Sequence, residues 1–167
     1  MKKLSDALVI IDLQKGVCFD GETIDHFSEL VTLVNHRIAL YRSQEKPILF
    51  IQHRDEDLIP NSTAWELIDE LDREEHDLTV QKTHANSFYQ TDLQKILQKK
   101  QINSLEICGA QTQYCIDTTV KFAHGLGYQL TMLKNGSTTY DNDFFSAADT
   151  IAFYENIWDK RFLRLIK

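Results

Sequence analysis

Cysteine is scarce in this sequence, and long apolar runs are missing. The 167 residues include three cysteines: Cys18, Cys108 and Cys115. Three thiols are too few for the disulfide framework of a small secreted protein. This number is typical of proteins whose cysteines stay reduced in the cytosol. The apolar run near the amino terminus ends at Asp12, which makes it too short for a signal-peptide core or a membrane span. We therefore expect a cytoplasmic protein without a membrane partner.

Positive charge is also in short supply. Lysine and arginine total 18 against 25 for aspartate and glutamate, which gives a net charge of -7. General nucleic-acid binding requires a basic face, so we expect no nucleic-acid partner. A single lysine can still act locally on a small-molecule substrate. The sequence has no repeat, low-complexity tract or linker, and its 43% apolar content suits one core, so we expect a single domain over residues 1–167.

Short apolar runs alternate with amphipathic stretches along the whole chain. The predicted strands are residues 7–12, 47–53, 78–82, 104–109, 129–133 and 162–166. The predicted helices are residues 26–43, 91–99 with Thr91 as cap, 115–126 and 144–157, with a possible short helix over 65–71. Alternating strands and helices predict an α/β protein, a three-layer sandwich in which a Rossmann-like, mostly parallel sheet of about six strands has helices on both faces.

Polar residues lie at the carboxyl ends of several predicted strands. Asp12, His53 and Lys82 each close a predicted strand, and the turn before Cys115 follows a fourth. Active sites of parallel sheets lie beyond the carboxyl ends of the strands. Taken singly, an aspartate there commonly caps a turn and a lysine commonly extends into solvent. Their convergence with a thiol favours a catalytic site.

Cys115 is the most informative residue of this group. Its predicted position in the first turn of a helix places it at the positive end of the helix dipole, which lowers a thiol pKa. On position alone, Cys115 could equally be a small buried residue without a catalytic role. Asp12 can take the thiol proton, Lys82 can stabilise the thiolate, and the turn 109–115 can offer N–H groups to an oxyanion. These are the parts needed for acyl transfer, so we expect Cys115 to be the most reactive thiol, with a pKa below about 8.5.

Three segments together resemble the isochorismatase-like cysteine hydrolases, a group that includes nicotinamidases and carbamoyl-sarcosine amidase-like enzymes. They occur in family order and at similar spacing, and the resemblance extends over nearly the whole chain. The segments are Ile11-Asp12-Leu13-Gln14, Lys82 followed by Ser87-Phe88-Tyr89-x-Thr91-Asp92-Leu93, and Gly109-Ala-Gln-Thr-Gln-Tyr-Cys115-Ile-x-x-Thr118.

The resemblance implies a residue for each catalytic role. Asp12 would be the base, Lys82 the charged member of the triad, and Cys115 the nucleophile that forms a thioester. It also implies a cis peptide bond between Ala110 and Gln111, which turns the N–H of Gln111 toward the oxyanion beside that of Cys115. No cofactor would be needed, and the protein would be a homo-oligomer. Because isochorismatases that cleave a vinyl ether do not strictly need the cysteine, its presence here favours hydrolysis of a C–N bond in a small amide.

The stretch after the second strand departs from the metal-binding members of that family. Nicotinamidases place an Asp-x-His pair and a further histidine there, whereas residues 52–57 read Gln-His-Arg-Asp-Glu-Asp. His76 and His84 are the other imidazoles in reach, and a metal site needs about three converging ligands. We therefore expect no metal. The alternatives are a metal-assisted nicotinamidase or isochorismatase, and a non-catalytic ligand-binding or assembly protein with the same fold.

Four residues are predicted to contact the substrate, whose identity the sequence does not encode. Gln14 would hydrogen-bond the substrate or brace Asp12, and His53 would form a polar lip of the pocket. Phe88 would be an apolar wall or part of the core. Tyr114 would pack beneath the nucleophile. Trp65 is expected in the core.

Overall fold

A computed structural model describes residues 4–167, which form nine strands and five α-helices. The strands are β1 (Ala7–Ile11), β2 (Phe19–Asp20), β3 (Glu22–Thr23), β4 (Ile48–His53), β5 (Leu78–Lys82), β6 (Ser104–Ala110), β7 (Gln129–Leu133), β8 (Ser137–Thr138) and β9 (Arg164–Ile166). The helices are α1 (Lys15–Cys18), α2 (Phe27–Ser43), α3 (Leu93–Lys99), α4 (Asp117–Gly125) and α5 (Ala147–Trp158). A five-residue π-helical turn, Thr112–Ile116, precedes α4.

Seven strands form one parallel sheet. Its order is β5-β4-β1-β6-β7-β9, with the short β8 beside the end of β6. Every neighbouring pair in it is parallel, whereas β2 and β3 make a separate antiparallel ribbon. The mostly parallel sheet predicted from the sequence is therefore confirmed.

Helices cover the sheet on both faces, and each face has its own apolar core. Side chains of β1 alternate between the two: Ala7, Val9 and Ile11 join α3, α4 and α5 in one core, while Leu8 and Ile10 join α2 in the other. A strand buried on both faces needs apolar residues at every position, which explains its unbroken apolar run. The predicted three-layer architecture is confirmed. Among the described residues, no helix combines the length and the apolar composition needed to cross a bilayer.

The carboxyl ends of four neighbouring strands, β5, β4, β1 and β6, lie side by side. Ile11, the last residue of β1, pairs with Ile51 of β4 and with Gly109 of β6. His53, the last residue of β4, pairs with Lys82, the last residue of β5. The residues that follow these strands therefore meet at one edge of the sheet, as the sequence predicted.

Gly109 allows β6 to approach the last residue of β1. Its φ is +126°, and a Cβ built there would lie 2.1 Å from the carbonyl oxygen of Ile11. Any side chain would therefore push against the backbone that leads directly into Asp12.

Gly109→Ala is expected to destabilise the fold by about 3 kcal/mol, because the added methyl overlaps backbone and the φ is unfavourable for an L-residue. Urea denaturation measures the change. The matched control is Gly125→Ala at the end of α4, where a Cβ meets nothing within 4 Å. That control should cost nothing, because alanine favours helix. Equal stability of the two variants would contradict the close-approach argument.

The possible helix over residues 65–71 does not form. The Trp65 carbonyl accepts hydrogen bonds from the side-chain amides of Gln14 and Gln52, and the Ile68 N–H donates to the Leu13 carbonyl. The segment thus uses its backbone groups to pair with the end of β1 and the loop after it. Those bonds replace the i to i-4 bonds that a helix would require.

Three element boundaries differ from the predicted ones by two or three residues. α3 begins at Leu93, two residues after the predicted start. The Thr91 hydroxyl accepts from the Leu93 N–H at 3.3 Å, as expected of a cap, whereas the side chain of Asp92, the residue directly before the helix, makes no capping bond. α5 begins at Ala147 rather than 144, because Ser146 caps it by accepting from the Asp149 N–H. The last strand starts at Arg164 rather than at residue 162.

Candidate active site

Lys82 is the central residue of the site. Its side chain is fully buried, and its Nζ lies 2.6 Å from Oδ2 of Asp12. The same atom lies 3.3 Å from Sγ of Cys115 and 3.1 Å from Nδ1 of His53. An ammonium group carries three protons, so each of these three acceptors can receive one. Lys82 therefore joins the ends of β1, β4 and β5 to the turn that follows β6.

Asp12 follows β1 in a left-handed backbone conformation, with φ of 51°. Non-glycine residues rarely adopt this region, and those that do are often functional. The carboxylate is buried, and burial raises its pKa although the Lys82 ammonium opposes that rise. Oδ2 pairs with Lys82, whereas Oδ1 is buried and has no hydrogen-bond partner. Asp12 thus holds a free acceptor inside the site.

Cys115 lies in the π-helical turn rather than in the first turn of α4, and its side chain is half-buried. Burial, reinforced by the nearby Asp12 carboxylate, raises the pKa of the thiol to about 12, although Lys82 opposes this shift. The predicted pKa below 8.5 is therefore wrong for the resting site. Cys18 and Cys108 are fully buried, so Cys115 is the accessible thiol among the three.

The turn between β6 and Cys115 is fixed on both sides. The peptide bond between Ala110 and Gln111 is cis, as the resemblance implied. The Gln111 carbonyl accepts from the N–H groups of Tyr114 and Ile116, and its side-chain oxygen accepts from the Thr139 hydroxyl at 3.3 Å. These bonds hold the backbone around Cys115 in one conformation.

His53 lies deeper in the site than the lip position predicted for it. Its Nδ1 faces Lys82, and its Nε2 lies 3.1 Å from Oδ2 of Asp55. Burial and the Lys82 charge lower the pKa of the imidazole below its ordinary value. Its side chain is 18% exposed, so it contacts the triad more than the solvent.

Gln14 has a structural role that the sequence did not reveal. The side chain is buried, and its Nε2 donates to the carbonyls of His53 and Trp65 at 2.9 Å and 2.8 Å. Its Oε1 accepts from the His53 N–H at 2.7 Å. Both amide protons are therefore used within the protein, and Gln14 supports the backbone of His53 rather than Asp12. Its contact with a substrate stays a prediction.

The three aromatic residues considered from the sequence occupy different environments. Phe88 is buried and packs against Phe122 and Tyr128, which makes it a core residue rather than a pocket wall. Tyr114 is 58% exposed, so the prediction that it packs beneath Cys115 is wrong. Trp65, expected in the core, is half-buried, and its indole Nε1 is buried without a partner.

The residues near the site do not fit the metal centre that the resemblance attributes to nicotinamidases. Within residues 4–167, no group of three or more His, Cys, Asp or Glu side chains is arranged to hold a metal ion. Both ring nitrogens of His53 already face other groups. The His76 side chain is 72% exposed beside Glu74, and His84 contacts Thr83.

Comparison with known proteins places these features in one family. A sequence model of the isochorismatase domain matches residues 6–154. The crystal structure of an isochorismatase family protein is 41% identical, with a TM-score of 0.94 over 96% of this chain and 97% of that one. The isochorismatase family protein YddQ of Bacillus subtilis is 26% identical over 142 residues, 81% of this chain and 79% of that protein. Ureidoacrylate amidohydrolase RutB of Agrobacterium fabrum is 28% identical over 87 residues, 51% of this chain and 38% of that enzyme.

Proposed function

The chain belongs to the isochorismatase family of hydrolases, and from this premise we propose that it cleaves a C–N bond of a small amide through a thioester on Cys115. The observation that carries the proposal is the Lys82 ammonium, which bonds both the Asp12 carboxylate and the Cys115 sulfur. A base, a cation and an accessible thiol converge at the edge of the sheet where such sites lie.

Asp12 is the proton acceptor in the first half of the reaction. Its Oδ1 has no partner, and its raised pKa makes it a better proton acceptor than an ordinary aspartate. As Sγ attacks the amide carbonyl, the thiol proton passes to Asp12 and the carbonyl oxygen becomes an oxyanion. The proton then passes to the leaving nitrogen, the C–N bond breaks, and ammonia or an amine departs.

The second half of the reaction regenerates the enzyme. Water attacks the thioester carbon while Asp12 takes one of its protons. The C–S bond breaks, the carboxylic acid leaves, and the proton returns to the sulfur. In both halves the backbone N–H groups of Gln111 and Cys115 donate to the oxyanion, and Lys82 stabilises the sulfur while it carries negative charge.

The high resting pKa of Cys115 agrees with this order of events. A thiol with a pKa of about 12 keeps its proton until a substrate arrives, so attack and proton transfer to Asp12 take place together. Burial and the Asp12 carboxylate favour the protonated form, while Lys82 stabilises charge as it develops.

An amide is the favoured substrate class for two reasons. The accessible cysteine supplies the nucleophile that acyl transfer requires. RutB, whose sequence is similar over about half of this chain, is named as an amidohydrolase. Tyr114, which directly precedes Cys115 and is exposed, is the side chain that we propose as a substrate contact.

A panel of small primary and secondary amides, followed by release of ammonia or amine, tests the proposal. We expect hydrolysis of at least one member, and we expect it to survive exhaustive chelation, because the described residues offer no metal-binding cluster. The Cys115→Ala variant is the blank. If chelation abolishes turnover and zinc or manganese restores it, the reaction is metal-assisted. If no amide is hydrolysed and no thioester forms, the non-catalytic alternative is favoured.

A further inference from the structure

The hydrogen bonds of Lys82 determine the protonation state of His53. The ammonium donates to Asp12, Cys115 and His53, and it has no lone pair with which to accept. Nδ1 of His53 must therefore be an acceptor. The imidazole is neutral, and its one N–H proton is on Nε2.

Asp55 stabilises the same tautomer from the other side. Its Oδ2 lies 3.1 Å from Nε2 of His53, where it accepts the remaining N–H. Its Oδ1 accepts from the backbone N–H groups of Asp57 and Leu58 at 3.0 Å and 2.8 Å, which fixes the carboxylate on the loop after β4. Hydrogen bonds therefore connect the loop after β4 to Lys82 through His53.

We propose that His53 is a positioning residue whose neutral imidazole holds the Lys82 ammonium against Asp12 and Cys115, and whose protonation switches the site off. The inference rests on the roles proposed above for those three residues. Protonation of Nδ1 would remove an acceptor and place a second cation 3.1 Å from Nζ. Lys82 would then have to move, and both of its other bonds would lengthen.

The groups that face His53 set the direction of the pH dependence. Lys82 from β5 and burial disfavour the imidazolium, whereas Asp12 from β1 and Asp55 from its own loop favour it; the net effect is a pKa below 6.5. The imidazole is therefore neutral at and above neutral pH. Activity should be lost as the pH falls through this lowered pKa.

Two substitutions at position 53 separate hydrogen bonding from packing. His53→Asn places an amide oxygen near the position of Nδ1 and cannot titrate, whereas His53→Leu fills similar space without an acceptor. The control is His76→Asn. The exposed His76 imidazole lies beside Ile48 and Leu78, the first residues of β4 and β5. It is therefore at the opposite end of these strands from His53 and Lys82.

The pH profile of kcat on the best amide of the panel is the first measurement. For His53→Leu we expect kcat to fall about tenfold or more with a smaller change in KM, since Lys82 is displaced in the chemical step. His53→Asn should keep most of kcat, and its acid limb should differ from that of wild type because only the protonation of Asp12, the proposed base, remains to cause it. His76→Asn should match wild type. A wild-type acid limb in His53→Asn, or wild-type kcat in His53→Leu, would overturn the proposal.

Nitrogen NMR of histidine-labelled protein tests the tautomer without a substrate. The His53 signals are assigned by their loss in His53→Asn. They should show an unprotonated Nδ1 and a protonated Nε2, and the pKa of the imidazole should lie below its ordinary value of 6.5. An Nδ1–H tautomer would overturn the proposal. Alkylation of Cys115 by iodoacetamide should also be slower in His53→Leu than in His53→Asn. These two results can hold even if no amide is hydrolysed, which separates this inference from the proposed function.

Discussion

Replacement of Cys115 by alanine is expected to abolish hydrolysis and leave the protein folded. The substitution removes the sulfur that we propose as the nucleophile, and loss of a nucleophile reduces kcat by about 10⁴-fold or more. The fold should persist, because Lys82 keeps Asp12 and His53 as partners and no large side chain is lost. Steady-state kinetics measure the loss, and mass spectrometry of wild type with a slow substrate should detect the acyl group on Cys115.

Cys18→Ala is the matched control for that experiment. It removes the same atoms from a fully buried thiol in the core on the α2 side of the sheet. This variant can lose stability but should keep the kcat of wild type. Turnover in Cys115→Ala, or its loss in Cys18→Ala at equal folded fraction, would show that Cys115 is not the nucleophile.

Lys82→Met is expected to have the largest effect on stability. The ammonium and the Asp12 carboxylate are both buried, so removal of the cation leaves an uncompensated buried charge. Breaking such a pair costs about 3–5 kcal/mol. Urea denaturation at several pH values measures the change in the free energy of unfolding.

The double variant Lys82→Met/Asp12→Asn is the control, because it removes both charges and should recover most of the lost stability. The pH dependence separates the two variants as well. Burial already raises the pKa of Asp12, and loss of Lys82 removes the charge that opposes this rise. The single variant should therefore gain stability as the pH falls and Asp12 becomes protonated, whereas the double variant should not. A double variant no more stable than the single one would contradict this explanation.

The sequence was sufficient to predict the sheet because its central strands are buried on both faces. Such strands consist of short apolar runs, and in β1 the polar Asp12 marks where the run ends. The edge strand β5 was predicted instead from its alternating pattern, with the buried Lys82 at its end. Helix starts were predicted less well, because single side chains such as Ser146 determine them. The absence of a helix over residues 65–71 was not predictable, because it depends on bonds to Gln14 and Leu13, which are distant in sequence.

The convergence of Asp12, Lys82 and Cys115 was predictable, but the electrostatics around them were not. Asp12, Lys82 and Cys115 end or follow strands, so their convergence follows from the fold class. The contact between His53 and Lys82 requires the order and register of β4 and β5, which a single sequence does not give. The thiol pKa was predicted with the wrong sign, because burial and the Asp12 carboxylate outweigh the helix terminus. The homo-oligomer and the cytoplasmic location stay predictions.

The way in which residues 64–68 attach to the sheet edge has an evolutionary consequence. The carbonyls of Ala64, Trp65 and Glu66 and the N–H of Ile68 make these bonds, so the attachment uses main-chain atoms on the loop side. Main-chain bonds do not depend on side-chain identity. Substitutions in this loop can therefore accumulate and reshape the neighbourhood of Trp65 without displacing the triad. The loop can therefore diverge among descendants of such a protein while the arrangement of Asp12, Lys82 and Cys115 is inherited unchanged.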